Sequence, residues 1–358
     1  MAEKNSDGAA AAVDGVDARH VTQLFNSEIN GMDGKRYSFL SATLETFGMR
    51  GGHDKKDDVY GSSLDHAMMM LRSMVEPKRQ TNSHGGAWNF SLTPLQDFDA
   101  TQDDLLQAFV MWSRKQQADE SCATTSSTTI PSEPEPSYTY NVSKAFRRLE
   151  AYVEWMDQNA RQVDFTNGMS MKHIAPVWDM KMTHDKYGRL VWFCDLEALD
   201  FDYIKHKLPH DDTLRYLVWL AHLILFDKGT QQHGVVLVYS IGKVGFMESL
   251  TLVPLELQHK FDSLSIGRLP IRVESIIFVN NPTWIKIVLT LVKPFLSWKM
   301  TRRLKLIPNK EDPRDYLESA LGSDCFPVNM MSHQLQGTLE VDLISERFNI
   351  LTARCTPC

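Results

Sequence analysis

Gly234 to Ser240 (GVVLVYS) is a seven-residue apolar run with no charged residue and no polar–apolar alternation. A strand with one wet face would alternate, so this run reads as a strand buried on both faces. That setting belongs to a parallel sheet covered by helices. The flanking sequence fits. Asp185-Lys186-Tyr187-Gly188 reads as a turn, Leu190 to Cys194 (LVWFC) as a strand and Asp211 to Phe226 as a helix. Phe246 to Leu264 reads as one long helix and Val273 to Asn280 as a further strand. Pro282 opens a helix in the first turn, where proline is tolerated, and that helix runs to about Leu296. A short strand near Leu304 to Ile307 and a helix near Pro313 to Leu321 follow. This strand–helix–strand repetition predicts an α/β fold with a largely parallel sheet and helices on its faces.

Upstream the pattern is helical. Leu64, Met68, Leu71 and Val75 fall on one face of an amphipathic helix over Leu64 to Val75. Thr101 and Asp104 have capping-box spacing and open the stretch carrying Leu105, Leu106, Phe109, Val110 and Trp112. Phe146, Leu149, Val153 and Met156 make a second helical face. Between these helices, residues 119–137 (DESCATTSSTTIPSEPEPS) offer almost nothing to bury and read as a flexible insertion. Residues 1–20, rich in Ala, Gly, Asp and Ser, are expected to be disordered.

Several classes are disfavoured. With 38 Lys+Arg against 45 Asp+Glu, the chain carries a net charge of −7, unsuited to coating nucleic acid in general. Cysteines at 122, 194, 325, 355 and 358 form neither a disulfide scaffold nor a zinc array. No apolar run approaches the length of a membrane span; the densest, Leu217 to Phe226, contains His222. No signal-peptide core opens the chain, so a soluble cytoplasmic protein is expected. There is no G-x-S-x-G elbow and no phosphate-binding P-loop, and Gly242-Lys243-Val244-Gly245 reads as a plain turn. The 12 histidines show no H-E-x-x-H motif, and His222 reads as a core or pocket residue. Cys355 and Cys358 read as part of a frayed tail. No catalytic residue, metal or cofactor is therefore expected.

The most informative segment is the helix from Pro282. Lys286, Thr290, Lys293 and Ser297 form one narrow polar stripe; nearly everything else, from Trp284 to Leu296, is large and apolar. Such a helix either buries most of its circumference or touches lipid on one side. From Ser275 to Lys310 there are seven basic residues and no acidic one. That field suits a solvated face or an anionic lipid surface; no nucleic-acid recognition motif accompanies it.

Phe278-Val-Asn-Asn-Pro-Thr-Trp followed by Leu291-Val-Lys-Pro-Phe-Leu-Ser resembles the I-I-N-x-P … K-P-F-L signature of the CRAL-TRIO lipid-binding family. Asp185-Lys-Tyr-Gly-Arg-Leu-Val-Trp-Phe is similar to that family's D-x-x-G-R-P-V entry. Arg114-Lys115 and Tyr140-Asn-Val-Ser-Lys-Ala resemble its R-A-R-K-F-D-V-x-K-A motif, split here by the insertion. The resemblance implies a mixed, largely parallel sheet with a gated hydrophobic cavity, preceded by a small all-helical lobe. It places a poorly defined helical and loop extension at 21–90, the lobe at 91–165, the lipid-binding domain at 166–330 and a tail at 331–358. It implies a mobile gate helix whose lipid-facing residues are Trp284, Ile285, Val288, Leu289, Val292 and Phe295. Arg272, Lys286, Lys293, Lys299, Arg302, Arg303 and Lys305 would contact an anionic membrane or a phosphoinositide. The implied function is intracellular exchange of a hydrophobic small molecule or phospholipid at a transiently bound membrane, without nucleic acid. The alternative is a regulatory module that uses the scaffold to dock a partner.

Three departures bear on ligand choice and boundaries. Ser240 stands where the family usually has Asp, and Cys325-Phe-Pro-Val-Asn-Met-Met lacks the usual terminal glycines. In the phosphatidylinositol-transfer members a P-E-R glutamate helps hold the inositol; here the aligned residues are Pro270-Ile271-Arg272. An apolar side chain accepts no hydrogen bond from a sugar hydroxyl. A less polar lipid than phosphatidylinositol is therefore the expected cavity ligand.

Overall fold

The computed structural model describes residues 58–81, 88, 100–116, 137–159, 174–178, 180–265, 267–292, 298–310 and 312–322. The expected disordered start, the 119–137 insertion, the 331–358 tail and both terminal cysteines lie outside these residues.

Strand β1 (Tyr60–Gly61) leads into α1 (Leu64–Thr81); α2 (Gln102–Trp112), β2 (Arg114–Gln116), β3 (Tyr138–Asn141) and α3 (Val142–Asn159) follow. The three helices pack their apolar stripes into one core through Leu71, Phe109, Leu149 and Tyr152. The lobe thus takes in α1, N-terminal to the expected boundary at 91. Thr101 caps α2 as its spacing predicts: its side chain accepts from Asp104 N while Asp104 accepts from Thr101 N at 2.6 Å. Strands β1, β3 and β2 form a small antiparallel sheet that the sequence pattern did not predict. It sets Gln116 opposite Tyr138, so the two halves of the split motif meet across the insertion.

The second unit is a five-stranded sheet of β4 (Met180–His184), β5 (Leu190–Asp195), β6 (Val235–Ser240), β7 (Val273–Val279) and β8 (Leu304–Leu306), in that spatial order. Only β4 runs antiparallel, as a hairpin with β5 around Gly188 at φ 73°. In that turn Asp185 accepts from the Tyr187 and Arg189 amides and pairs with the Arg189 guanidinium at 2.6 Å. The connecting helices are α4 (Phe201–His206), α5 (His210–Leu225), α6 (Lys228–His233), α7 (Phe246–Leu250), α8 (Leu255–Ser265), α9 (Thr283–Val292), α10 (Trp298–Arg303) and α11 (Pro313–Leu321).

Two helix expectations need correction. The predicted long helix over 246–264 is two, α7 and α8, because Pro254 cannot continue a helix: its ring would strike the carbonyl four residues back. Pro282 precedes the first turn of α9 rather than opening it, and its carbonyl accepts from Ile285 N.

Buried and half-buried side chains tie the lobe to the sheet domain. Arg148 of α3 donates to the Leu269 carbonyl at 2.6 Å and lies 4.1 Å from the Trp112 ring. Trp155 Nε1 donates to Ser263 Oγ. Tyr152 meets His222 of α5 at 2.8 Å, where both side chains are buried. His222 is thus a core residue, one of the two roles its sequence context allowed.

Candidate functional site

The two faces of the main sheet differ in a way the uninterrupted apolar run conceals. On one face Val191, Phe193, Val236, Val238, Ile277 and Val279 are buried together with Leu317 and Leu321 of α11. On the other face the register aligns Trp192 with Leu237 and Ile276, and Tyr239 with Phe278 and Leu306. These six apolar side chains are only half-buried, as is Leu304. The expectation that Gly234–Ser240 is buried on both faces is therefore corrected. Helices α4 and α5 cover the β4–β6 end of this face through Ile204, Tyr216, Leu217, Leu220 and Ile224, and leave its β6–β8 end partly open.

Aromatic rings line that opening. Tyr239 stacks on Phe278 with centroids 5.7 Å apart, and Trp192 lies 6.4 Å from Tyr239 on the other side. Burial pushes the Tyr239 phenol well above its usual range, with Cys194 and Asp262 adding to the shift. Tyr239 is thus set among protein atoms while keeping part of its surface accessible. Asp262 of α8 is half-buried, and burial raises its carboxyl to about 6. Its ionised form is thus disfavoured in the folded state: the penalty is complete above that value and vanishes below the ordinary 3.8. Asp262→Asn should accordingly raise stability by about 1–2 kcal/mol at pH 7.5, with the gain fading as pH falls from 6 toward 4. Urea titrations of both proteins across that range check it; a gain that does not vary with pH would contradict the assignment.

Helix α9 packs on the segment that follows β6. Trp284 Nε1 donates to the Val244 carbonyl at 3.0 Å, and its ring meets Phe246 of α7 at 5.5 Å. Ile285 is buried; Trp284, Ile287, Val288 and Leu289 are half-buried; Lys286 and Thr290 are exposed. The predicted polar stripe thus faces solvent as far as Thr290. The Val292 side chain, Lys293 and Phe295 lie outside the described residues.

The basic residues divide into two groups. Lys286, Lys299, Arg302 and Lys305 are exposed, on α9, α10 and β8. Arg272 and Arg303 are half-buried, and burial together with Arg114 and Arg303 lowers the Arg272 pKa. Glu274, at 3.9 Å from Arg272, offsets part of that repulsion. Arg114 is a member of the cluster that charge counting missed, because it lies in the lobe, far away in sequence. Its Nη2 donates to the Gln232 carbonyl, its Nε is buried with no hydrogen-bond partner among the described residues and its guanidinium lies 5.0 Å from the Tyr138 ring. Ile271 packs against both the lobe core and the sheet core, which accounts for an apolar residue there.

Among the described residues no group of His, Cys, Asp and Glu could hold a metal, and no helix is long and apolar enough to cross a membrane. Ser240 accepts from Asn280 Nδ2 at 3.1 Å at the end of β6, and Asn280 has φ 50°.

Comparison with known proteins adds a family. Residues 180–330 match the model of the CRAL/TRIO domain. Clavesin-1 of Xenopus laevis is 25% identical over 194 residues, covering 52% of this chain and 55% of that protein. Clavesin-2 of Homo sapiens is 28% identical over 172 residues, covering 46% and 50%. The chain spans about half the length of the curated relatives it matches. Among solved structures, that of Sfh5 aligns over 61% of this chain and 86% of its own at 12% identity, with a TM-score of 0.34.

Proposed function

Because the chain carries a domain of the CRAL/TRIO lipid-binding family over residues 180–330, we propose that it takes up one hydrophobic ligand or phospholipid on the half-covered face of its sheet and exchanges it with a membrane. The observation that supports this most is the unequal burial of the two sheet faces. Trp192, Leu237, Tyr239, Ile276 and Phe278 are large and apolar and lie on the central strands, yet they are only half-buried, and no side chain among the described residues completes their cover. Leaving that much apolar area to water costs about 25 cal/mol per Å², which an acyl chain or isoprenoid laid on the face would recover.

Helix α9 suits the part of a cover that moves. Among its described side chains Trp284 and Ile285 hold the N-terminal end, while Ile287, Val288 and Leu289 further along are only half-buried. The exposed bases of α9, α10 and β8 then favour anionic membrane, each contributing on the order of 1 kcal/mol near the surface. The mechanism is partition and exchange: no bond is made or broken, and a peripheral, cytoplasmic protein is the natural setting. With Ile271 packed in the core, no carboxylate reaches a headgroup from that position, which favours a ligand less polar than phosphatidylinositol.

Native mass spectrometry of protein purified without detergent should show one stoichiometric lipid or isoprenoid adduct, and competitive loading from mixed vesicles should rank phosphatidylinositol below it. A bare chain that takes up no lipid class on titration would sink the reading and favour the alternative, a partner-docking scaffold.

A further inference from the structure

Trp298 is 64% exposed, the most exposed of the large hydrophobic side chains among the described residues. It opens α10, which follows α9 in the sequence after residues 293–297, with Lys299 Nζ 5.9 Å and Arg302 Cζ 5.5 Å from its ring. The nearest comparison within the molecule is Tyr187, 56% exposed and also flanked by two cations, Lys186 and Arg189. Those cations are committed internally: Arg189 pairs with Asp185, and Lys186 donates to the Ser319 carbonyl. Met69, 61% exposed, has neither aromatic character nor a basic cluster, since Arg72 on the same helix pairs with Asp103. Lys299 and Arg302 have no acidic partner among the described residues, and Lys286 and Lys305 extend the same charge on either side in sequence.

We propose that Trp298 is an interfacial anchor: its indole enters the headgroup layer of an anionic phospholipid bilayer while Lys299 and Arg302 take lipid phosphates on either side of it. The chemistry of the side chain supports this. An indole is large and apolar with one N–H donor, and such rings settle at the boundary between headgroups and acyl chains. A cation held beside the ring, rather than paired with a carboxylate, is available to a phosphate at the same depth. Helix α10 packs beside β7 and β8, which puts the anchor where it would hold the ligand-bearing face near the bilayer. In that respect the inference rests on the exchange reading above.

The test is co-sedimentation of the full chain with vesicles of phosphatidylcholine containing about a quarter phosphatidylserine. Trp298→Ala is expected to weaken binding roughly tenfold while keeping the wild-type salt dependence, because the lost contribution is apolar. Trp298→Tyr should retain most of the binding. The double variant Lys299→Glu/Arg302→Glu should instead flatten the salt dependence. Brominated lipids should quench a fluorescence component in wild type that is missing in Trp298→Tyr. Wild-type binding by Trp298→Ala, or no vesicle binding by wild type, would overturn the anchor. So would a loss of thermal stability in Trp298→Ala that matches its loss of binding, since the indole would then be structural. Lipid content measured by native mass spectrometry on the same samples keeps the two ideas apart. A loaded protein that ignores vesicles refutes the anchor alone; an empty protein that still binds them refutes the cavity reading alone.

Discussion

Leu237→Glu should yield a folded protein without lipid, whereas Val238→Glu, one residue along the same strand, should not fold. Side chains on a strand alternate between faces, so neighbours in sequence enter different environments. Val238 is fully buried against the α11 side of the sheet, in the cluster with Phe193, Ile277 and Leu317. An unpaired carboxylate there costs several kcal/mol, a large share of the ~5–15 kcal/mol that holds a domain together. Leu237 lies on the half-covered face, where a carboxylate keeps part of its hydration. Seating an acyl chain against it would remove that water, at a cost of several kcal/mol. Far-ultraviolet circular dichroism and native mass spectrometry on both variants would check the pair. A Leu237→Glu protein that carries lipid as wild type does would place the ligand elsewhere; one that fails to fold would show that the face is closed.

A second large effect is expected at acid pH. His222 is fully buried, with Nδ1 donating to the Val218 carbonyl at 2.7 Å and Nε2 accepting from Tyr152 Oη at 2.8 Å. Burial holds its pKa down to about 4, against an ordinary 6.5. The unfolded chain therefore binds this proton more readily than the folded one. The contribution is complete above the unfolded value and is lost as pH falls from about 6.5 toward 4, by about 3 kcal/mol in all. Denaturant titrations from pH 7 to 4 should show this decline in wild type and its absence in the double variant Tyr152→Phe/His222→Leu. Each single replacement should cost about 1–3 kcal/mol at pH 7, because it leaves a buried partner unpaired. The double replacement should cost less than their sum. An acid limb that survives in the double variant would assign the decline to other groups.

The alternating pattern of the sheet domain was legible because strands and helices there carry unlike periodicities. Leu190–Asp195, Val235–Ser240 and Val273–Val279 all fall within a residue or two of their predicted spans. β4 and the short helices α4, α6 and α10 were not legible: each is too short or too polar for a periodic signal. The candidate site was half visible in the sequence. The apolar helix and its bases stand out in the sequence, but an uninterrupted run such as VVLVYS looks the same whether both faces are covered or only one. Which of its residues are open depends on where α4 and α5 end, and no local pattern encodes that. Arg114 was invisible as a member of the candidate basic cluster for a related reason: only the fold brings the start of β2 near Arg272.

The pairing of Gln116 with Tyr138 has a consequence for how this molecule can vary. Paired strands lie about 5 Å apart, so the chain leaves the lobe and re-enters it at nearly one point. For a stretch tethered in that way, each doubling of length costs only about 0.6 kcal/mol in closure entropy. The lobe therefore works as a port. An affinity tag, a fluorescent domain or a new recognition sequence could be spliced between 117 and 136, and the helices on either side would register little beyond the clasp that holds its two ends.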